Sequence, residues 1–295
     1  MERMLAEHLI SYFHYAEKPL NLIVDGAYEA LAASIASVHG NVVIANLSSQ
    51  SQGNVANVLC LRENAVVLLL AEPETYLRYR LPEYLDFSLG EPRICHMKSK
   101  SRVLIFPRDS LERMLSVPPR EDADRKRRIL TELHDDTTYR ITTALGTDLC
   151  FKARKWLTLD FEICTAPVEN SISGIIVVDG AVFYRRIKEK LIFEIKNGIL
   201  QTVRPASEQG KAIAVEYLGM TADVMQDPVN KQLAEIGIGF CGGAQITDCF
   251  MEAETVAGTC HFCFGNNICY GGVNKSEFHG ASVLVQDPVF TPVQM

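Results

Sequence analysis

Four side chains near the C-terminus can hold and use a metal ion: Glu235 in LAEIGIG, His261 in GTCHFCFG, Tyr270 in NNICYGG and His279 in KSEFHGA. Two imidazoles and a carboxylate suit a first-row divalent ion such as Zn, Mn, Co or Fe(II). A phenol beside them can steady a developing negative charge. Each lies in a short apolar, strand-like run bounded by glycine-rich turns, so separate strands must bring them together. A carboxylate buried in a run as apolar as that around Glu235 needs a partner. Cys260-His261-Phe262-Cys263 looks like half a zinc knuckle, but no second Cys/His pair stands at a matching distance. Strand alternation puts Cys260 and His261 on opposite faces and leaves Cys263 beside His261. The glycines of Gly237-Ile238-Gly239 and Cys241-Gly242-Gly243 sit in strand-and-turn sequence, which excludes a dinucleotide-binding fingerprint.

The elements that must position these residues change character along the chain. Residues 1–16 carry Leu5, Leu9, Ile10, Tyr12 and Phe13 at helical spacing. LNLIVDG (20–26), VVIANLS (42–48), AVVLLLAE (65–72) and RVLIFP (102–107) read as buried strands. Between the first two lies an alanine-rich helix that Gly40 should end, and Asp109-Ser110-Leu111-Glu112 reads as a capped helix start. Apolar strands separated by helices predict an α/β domain with a mostly parallel sheet. Residues 120–136 read as a long charged helix. Beyond them the sequence is strand and turn, with one helix near 206–224 and hairpin signals at Asp179-Gly180 and Asn197-Gly198. The expectation is an N-terminal α/β domain over 1–136 and a C-terminal β-rich α+β domain over 137–295 that carries the site.

Composition narrows the function classes. Of 295 residues, 47% are hydrophobic and 22% charged, enough to build a sizeable core. The net charge of −7 argues against a nucleic-acid partner. The one dense basic run, Arg125 to Arg128, has Glu121, Asp122 and Asp124 beside it and reads as a solvated helix face. Nine scattered cysteines fit a reducing compartment better than a disulfide framework. No signal peptide or membrane-spanning run is legible, so a cytoplasmic protein is expected.

Several stretches, taken together, resemble the thermophilic aminopeptidase family of metallopeptidases (aminopeptidase T and aminopeptidase S types) and relatives that include 2,5-dihydroxypyridine dioxygenases. They are Leu145 to Leu149, Glu162 to Glu169, Ala234 to Gly239, Gly258 to His261, Tyr270 to Gly272 and Lys275 to His279, in family order. The resemblance implies metal-site roles for Glu162 (ligand or base), Glu235, His261, Tyr270 and His279. It also implies a homodimer. Ala281 stands where the family has an Asp two residues after the final His. If residues 276–284 form one strand, Glu277, His279 and Ala281 share a face, and Glu277 either supplies the missing carboxylate or is simply exposed at the strand start. Glu169 and Asp148 read as structural.

Residues and resemblance together point to an enzyme holding one divalent metal per chain and hydrolysing an amide or peptide bond in a small-molecule or short-peptide substrate. The alternatives are an Fe(II)-dependent ring-cleaving dioxygenase and a metal-free binding protein that has kept the fold.

Overall fold

Strands that are mostly apolar must be covered, and the N-terminal half is built on them. The computed structural model describes residues 1–13, 19–47, 66–74, 85–86, 93–94, 101–183 and 185–293. Strands β1 (Leu20–Val24), β2 (Val42–Asn46), β3 (Val66–Ala71), the short pair β4 (Leu85–Asp86) and β5 (Arg93–Ile94), and β6 (Ser101–Ile105) occur in that order. Four of them make a parallel sheet in the order β2-β1-β3-β6; every residue of β1 is buried, but β2, expected to be buried too, is an edge strand that is only half-buried, with Ile44 exposed. Helix α1 (Glu2–Phe13) buries Leu5, Leu9 and Ile10, the spacing read from the sequence. Helix α2 (Glu29–His39) ends at Gly40, whose φ of +73° is the left-handed conformation that suits glycine. Helix α3 (Arg108–Met114) starts one residue before Asp109, which therefore lies in its first turn instead of capping it.

Two compact units divide between Glu121 and Asp122. The charged helix α4 (Pro119–Glu132) thus runs mostly with the C-terminal unit, whereas the change to strand-and-turn sequence puts the boundary near 136. Its anchor is Asp122, which is fully buried, accepts the Gly242 N–H at 2.9 Å and pairs with Arg125. Lys126 adds a cation over the Phe240 ring at 5.7 Å. Arg127 and Arg128 stay exposed, as expected of a solvated face.

The C-terminal unit contains β7 (Thr138–Thr142), β8 (Asp148–Lys152), β9 (Leu157–Thr158), β10 (Glu162–Thr165), β11 (Ser173–Val178), β12 (Ala181–Val182) and β13 (Arg185–Arg186). It continues with β14 (Leu191–Lys196), β15 (Ile199–Pro205), helix α5 (Lys211–Thr221), β16 (Leu233–Gly239), the short helix α6 (Phe250–Ala253), β17 (Thr259–Gly265), β18 (His279–Gln286) and β19 (Val289–Pro292). Seven strands form one sheet, β13-β12-β18-β17-β16-β10-β9, and six form another, β15-β14-β11-β8-β7-β19. Asn197-Gly198 is the tight hairpin expected, with φ of +49° and +81° joining β14 to β15. Asp179-Gly180 is not a hairpin. It carries the chain from β11 in one sheet to β12 in the other, and the Asp179 carboxylate accepts the Gln286 N–H at 2.9 Å.

The core lies between the two sheets. Ile163, Ile236, Ile238, Cys260, Phe262, Phe264, Val283 and Val285 face Tyr139, Ile141, Leu149, Phe151, Ile176, Val178 and Phe193. With these residues turned inward, the period of two turns Glu162, Glu235, Gly237, Gly239, His261 and Cys263 to the other face. Among the described residues no helix is long and apolar enough to cross a membrane, and the seven described cysteines are free.

Two devices hold the outer face in place. Gly237 is the register partner of His261, and a Cβ there would lie 2.1 Å from the imidazole Cε1. Gly239 leaves room for the backbone that comes after α6, since its Cβ would meet the Val256 carbonyl oxygen at 2.3 Å. The second device is Glu169, which ties down the 266–274 loop by accepting from Asn267 Nδ2 at 2.9 Å and Val273 N–H at 2.8 Å while pairing with Arg154 at 2.5 Å. Burial opposes its ionisation, but those donors outweigh it and hold the carboxyl at about 2.

Gly237→Ala should leave the backbone unstrained, displace the His261 ring and destabilise the protein by about 1–3 kcal/mol through overpacking. Gly219→Ala is the control: it lies in α5 with nothing near its Cβ, and should be neutral or stabilising by up to about 1 kcal/mol. Urea unfolding of the pair reads the difference, and equal effects would refute the contact. Because the Glu169 carboxyl is depressed when folded, its contribution is complete above the ordinary value of 4.5 and is lost as pH falls toward 2. Glu169→Gln should therefore cost about 1–2 kcal/mol at pH 7, with a deficit that shrinks in acid. A deficit independent of pH would count against this account.

Candidate metal centre

Each strand contributes one donor. Glu162 opens β10, Glu235 lies on β16, His261 on β17, and His279 opens β18, all neighbours in the seven-stranded sheet. His279 Nε2 lies 3.0 Å from Glu235 Oε2, and His261 Nε2 lies 3.8 Å from Glu235 Oε1 and 3.4 Å from Glu162 Oε2. The four residues therefore form an arc, with the Glu235 carboxylate bridging two imidazoles. Glu235 is 3% exposed and His261 1% exposed, while His279 stands at the open end.

The arc has unmet polar valence. Glu162 Oε2, Glu235 Oε1 and His261 Nδ1 are buried without a hydrogen-bond partner. An orphaned buried polar atom costs about 1–3 kcal/mol, so three in one cluster ask for an explanation. Two of them bracket His261 Nε2 at 3.4 and 3.8 Å. Donors sharing a tetrahedral ion at bonds of about 2.0–2.1 Å stand about 3.3 Å apart, which the Glu162–His261 spacing approaches, and the three-donor groups that close within 4.8 Å are Glu235, His261 and Cys263, and Glu162, Cys164 and Glu235. His279 points the same way. Its Nδ1 faces the Asn266 carbonyl at 2.7 Å, which only accepts, so the proton belongs there and Nε2 is directed at the carboxylate.

The electrostatics are those of a site short of positive charge. Burial pushes Glu162 up to about 7, with His261 pulling against it and Glu235 adding to it. Burial opposes ionisation of Glu235 too, but the two imidazoles outweigh it and hold the carboxyl well below its usual range. For His261 burial favours the neutral ring, and Glu162 and Glu235 overcome that to bring it up to about 10. His279 is raised by Glu235 against its burial. Burial pushes the Tyr270 phenol well above its ordinary value.

Of the residues singled out in the sequence, Glu162, Glu235, His261 and His279 converge. Tyr270 joins them at the rim, ending a short 3₁₀ turn (Ile268–Tyr270) with its ring centroid 5.6 Å from that of His279. Glu277 does not join them among the described contacts. Sharing a face with His279 would need one strand over 276–284, but β18 begins only at His279, and Glu277 lies exposed in the bend before it. Ala281 breaks the alternation as well. It adopts φ +50°, is fully buried in the core cluster, and its carbonyl accepts from the Tyr217 hydroxyl at 2.8 Å.

Sequence reasoning missed two residues. Glu254, just after α6, interacts electrostatically with Glu162, His261 and Glu235, and burial, then Glu162, raises it well above the usual carboxylate range. Nothing in the sequence of its loop marked it; the signal was Gly239, whose missing side chain admits that loop. Cys164 is the other: its Sγ lies within 4.8 Å of donor atoms of Glu162 and Glu235. Cys263, expected beside His261, has its Sγ within 4.8 Å of donor atoms of Glu235 and His261.

No family model matches the sequence, and no curated protein matches it significantly. Solved structures do resemble the fold. A 2,5-dihydroxypyridine dioxygenase from Pseudomonas putida KT2440 matches with a TM-score of 0.68 at 18% identity, over 98% of this chain and 92% of that one. AmpT from Thermus thermophilus matches with a TM-score of 0.54 at 14% identity, over 99% of this chain and 98% of that one. At these identities the likeness is one of fold. It extends over nearly the whole chain, including the N-terminal half, which contains none of the resembling sequence stretches.

Proposed function

We propose that this protein is a metal-dependent hydrolase that cleaves an amide or peptide bond in a small substrate, with one divalent ion per chain held by Glu235, His261 and His279 and flanked by Glu162. The observation that supports it is the pair of orphaned carboxylate oxygens, Glu162 Oε2 and Glu235 Oε1, around His261 Nε2. A divalent ion there would acidify a bound water and polarise a substrate carbonyl. The protein supplies the rest. Glu162, a buried carboxyl that stands at about 7 without a cation, takes a proton from the attacking water and returns one to the leaving amine. Tyr270 keeps its proton at any ordinary pH, so its O–H can donate to the developing oxyanion. The Asn266 carbonyl fixes the His279 ring in one orientation. Substrate approaches from the His279 side, where the arc is open to solvent. A soluble cytoplasmic homodimer is the setting this reading assumes.

A second reading draws on a separate feature of the arc. Two imidazoles and Glu235 form a two-histidine, one-carboxylate set, the donor arrangement of many non-haem Fe(II) oxygenases. The dioxygenase with the similar fold makes this the leading competitor.

Elemental analysis of protein purified without added metal and without oxygen tests the proposal. About one equivalent of zinc, manganese or cobalt is expected, and it should be lost in His261→Ala and Glu235→Ala. The loaded protein should then hydrolyse dipeptides or aryl amides with no need for oxygen. Iron with substrate-dependent oxygen uptake would replace the hydrolase with the dioxygenase. Failure to bind any divalent ion, even after loading, would end both readings.

A further inference from the structure

Cys263 faces the metal cluster from the middle of β17, and the proposed chemistry gives it no task. It is 4% exposed, and its register partner across the sheet is Glu235. Donor atoms of Glu235, His261 and Cys263 all lie within 4.8 Å of one another. Three atoms so placed all lie within about 2.8 Å of some common point, roughly half an ångström beyond the usual zinc–sulfur bond. A second observation points to a ligand independently of the thiol: Glu235 Oε1 is buried in the same cluster with no hydrogen-bond partner.

The local backbone explains why a thiol takes this position. The register of β17 and β18 shifts between Phe262 and Phe264, so Ala281 and Ser282 together oppose the single residue Cys263. Ala281 is consequently turned into the core, and no side chain at position 281 faces the cluster. Ser282 comes to the cluster side instead, with its hydroxyl 2.9 Å from Cys263 Sγ. The thiol thus occupies the space beside Glu235 and His261, with the Ser282 hydroxyl as its hydrogen-bond partner among the described residues.

We propose that Cys263 is a thiolate ligand to the metal, completing with Glu235 and His261 the donor set that Ala281 cannot complete. This rests on the metal-dependent reading above and deepens it. As the sulfur–metal bond forms, the thiol proton leaves to solvent, so the ligand set carries one more negative charge than nitrogen and oxygen donors alone would give. A soft donor among hard ones favours zinc or cobalt over magnesium or manganese. Cys164 is the natural comparison: it lies within 4.8 Å of Glu162 and Glu235, but that group contains no imidazole.

Cobalt(II) is the probe, because thiolate ligation gives it an intense near-ultraviolet charge-transfer band that oxygen and nitrogen ligands do not. The full-length protein is freed of metal, titrated with Co(II) without oxygen, and monitored by absorbance and by equilibrium dialysis. The parent should bind Co(II) and show the band. Cys263→Ser should still bind, with affinity reduced by roughly tenfold or more, and without the band. Cys164→Ser should keep it, and Cys263→Ala guards against a fold defect peculiar to serine. Co(II) bound by the parent with no band would overturn the thiolate and leave metal dependence standing. A band retained in both Cys263 variants, or lost only in Cys164→Ser, would also overturn it. No Co(II) binding by the parent would overturn this proposal together with the reading beneath it.

Discussion

Glu235 is the constraint around which the C-terminal unit is arranged. A carboxylate at 3% exposure in the middle of a seven-stranded sheet would cost several kcal/mol if left alone. Here it bridges His261 on the adjacent strand and His279 on the strand beyond. Three consecutive strands are thereby joined through side chains as well as through their backbone ladder. The inner face of the same strands supplies the apolar contact with the second sheet. One layer therefore fixes the cluster, because a slip of one residue would exchange Glu235 for Ile236 and place the carboxylate in the core.

That coupling explains why most of the cluster was legible in the sequence. In LAEIGIG and GTCHFCFG the polar residue is embedded in apolar alternation, so its face is set once the strand is recognised. Glu235 and His261 needed no more than this, Glu162 came only with the family resemblance, and Gly237 makes sense once His261 lies across it. The parallel sheet and α1 and α2 were equally plain, since buried strands and helical spacing are properties of the local sequence. Asp179-Gly180 misled because turn chemistry is local while strand partners are not: the same dipeptide that closes a hairpin can also pass the chain between sheets. Glu254 was invisible for a similar reason, as it reaches the cluster from a loop, where no period applies.

The bulges are where sequence and face part company. One lies in β16 between Leu233 and Glu235, the other in β18 opposite Cys263. Both occur at the level of Cys263, on its two sides. Each inserts a residue and reverses the parity of the remaining strand, the usual way a sheet re-aims a side chain beside a site. The first allows Leu233 and Ile236 to share the core although they are an odd number apart. The second turns Ala281 inward and Ser282 outward. A count of two from His279 therefore gives the wrong face, and Glu277, counted in the other direction, precedes the strand altogether. Ala281 pays a backbone cost at φ +50° that a regular strand would not impose. Such strain persists only where its surroundings enforce it, here through the Tyr217 hydroxyl on the Ala281 carbonyl and the packing of its methyl group.

These features set protons and a cation in competition for one place. With no cation, charge balance falls to the two imidazoles and to Glu162, whose carboxyl stands at about 7. A divalent ion would take over that task by displacing protons, so binding the ion and deprotonating the cluster are one equilibrium. The protonated arrangement satisfies Glu235 Oε2 through His279, yet leaves Glu235 Oε1 and Glu162 Oε2 without hydrogen bonds. Protons held on ring nitrogens or on one carboxyl oxygen cannot pair all of these oxygens at once, whereas a cation held among them would face several together. The geometry of the orphaned atoms, more than the charge, is what makes this buried ion-pair network a candidate metal site.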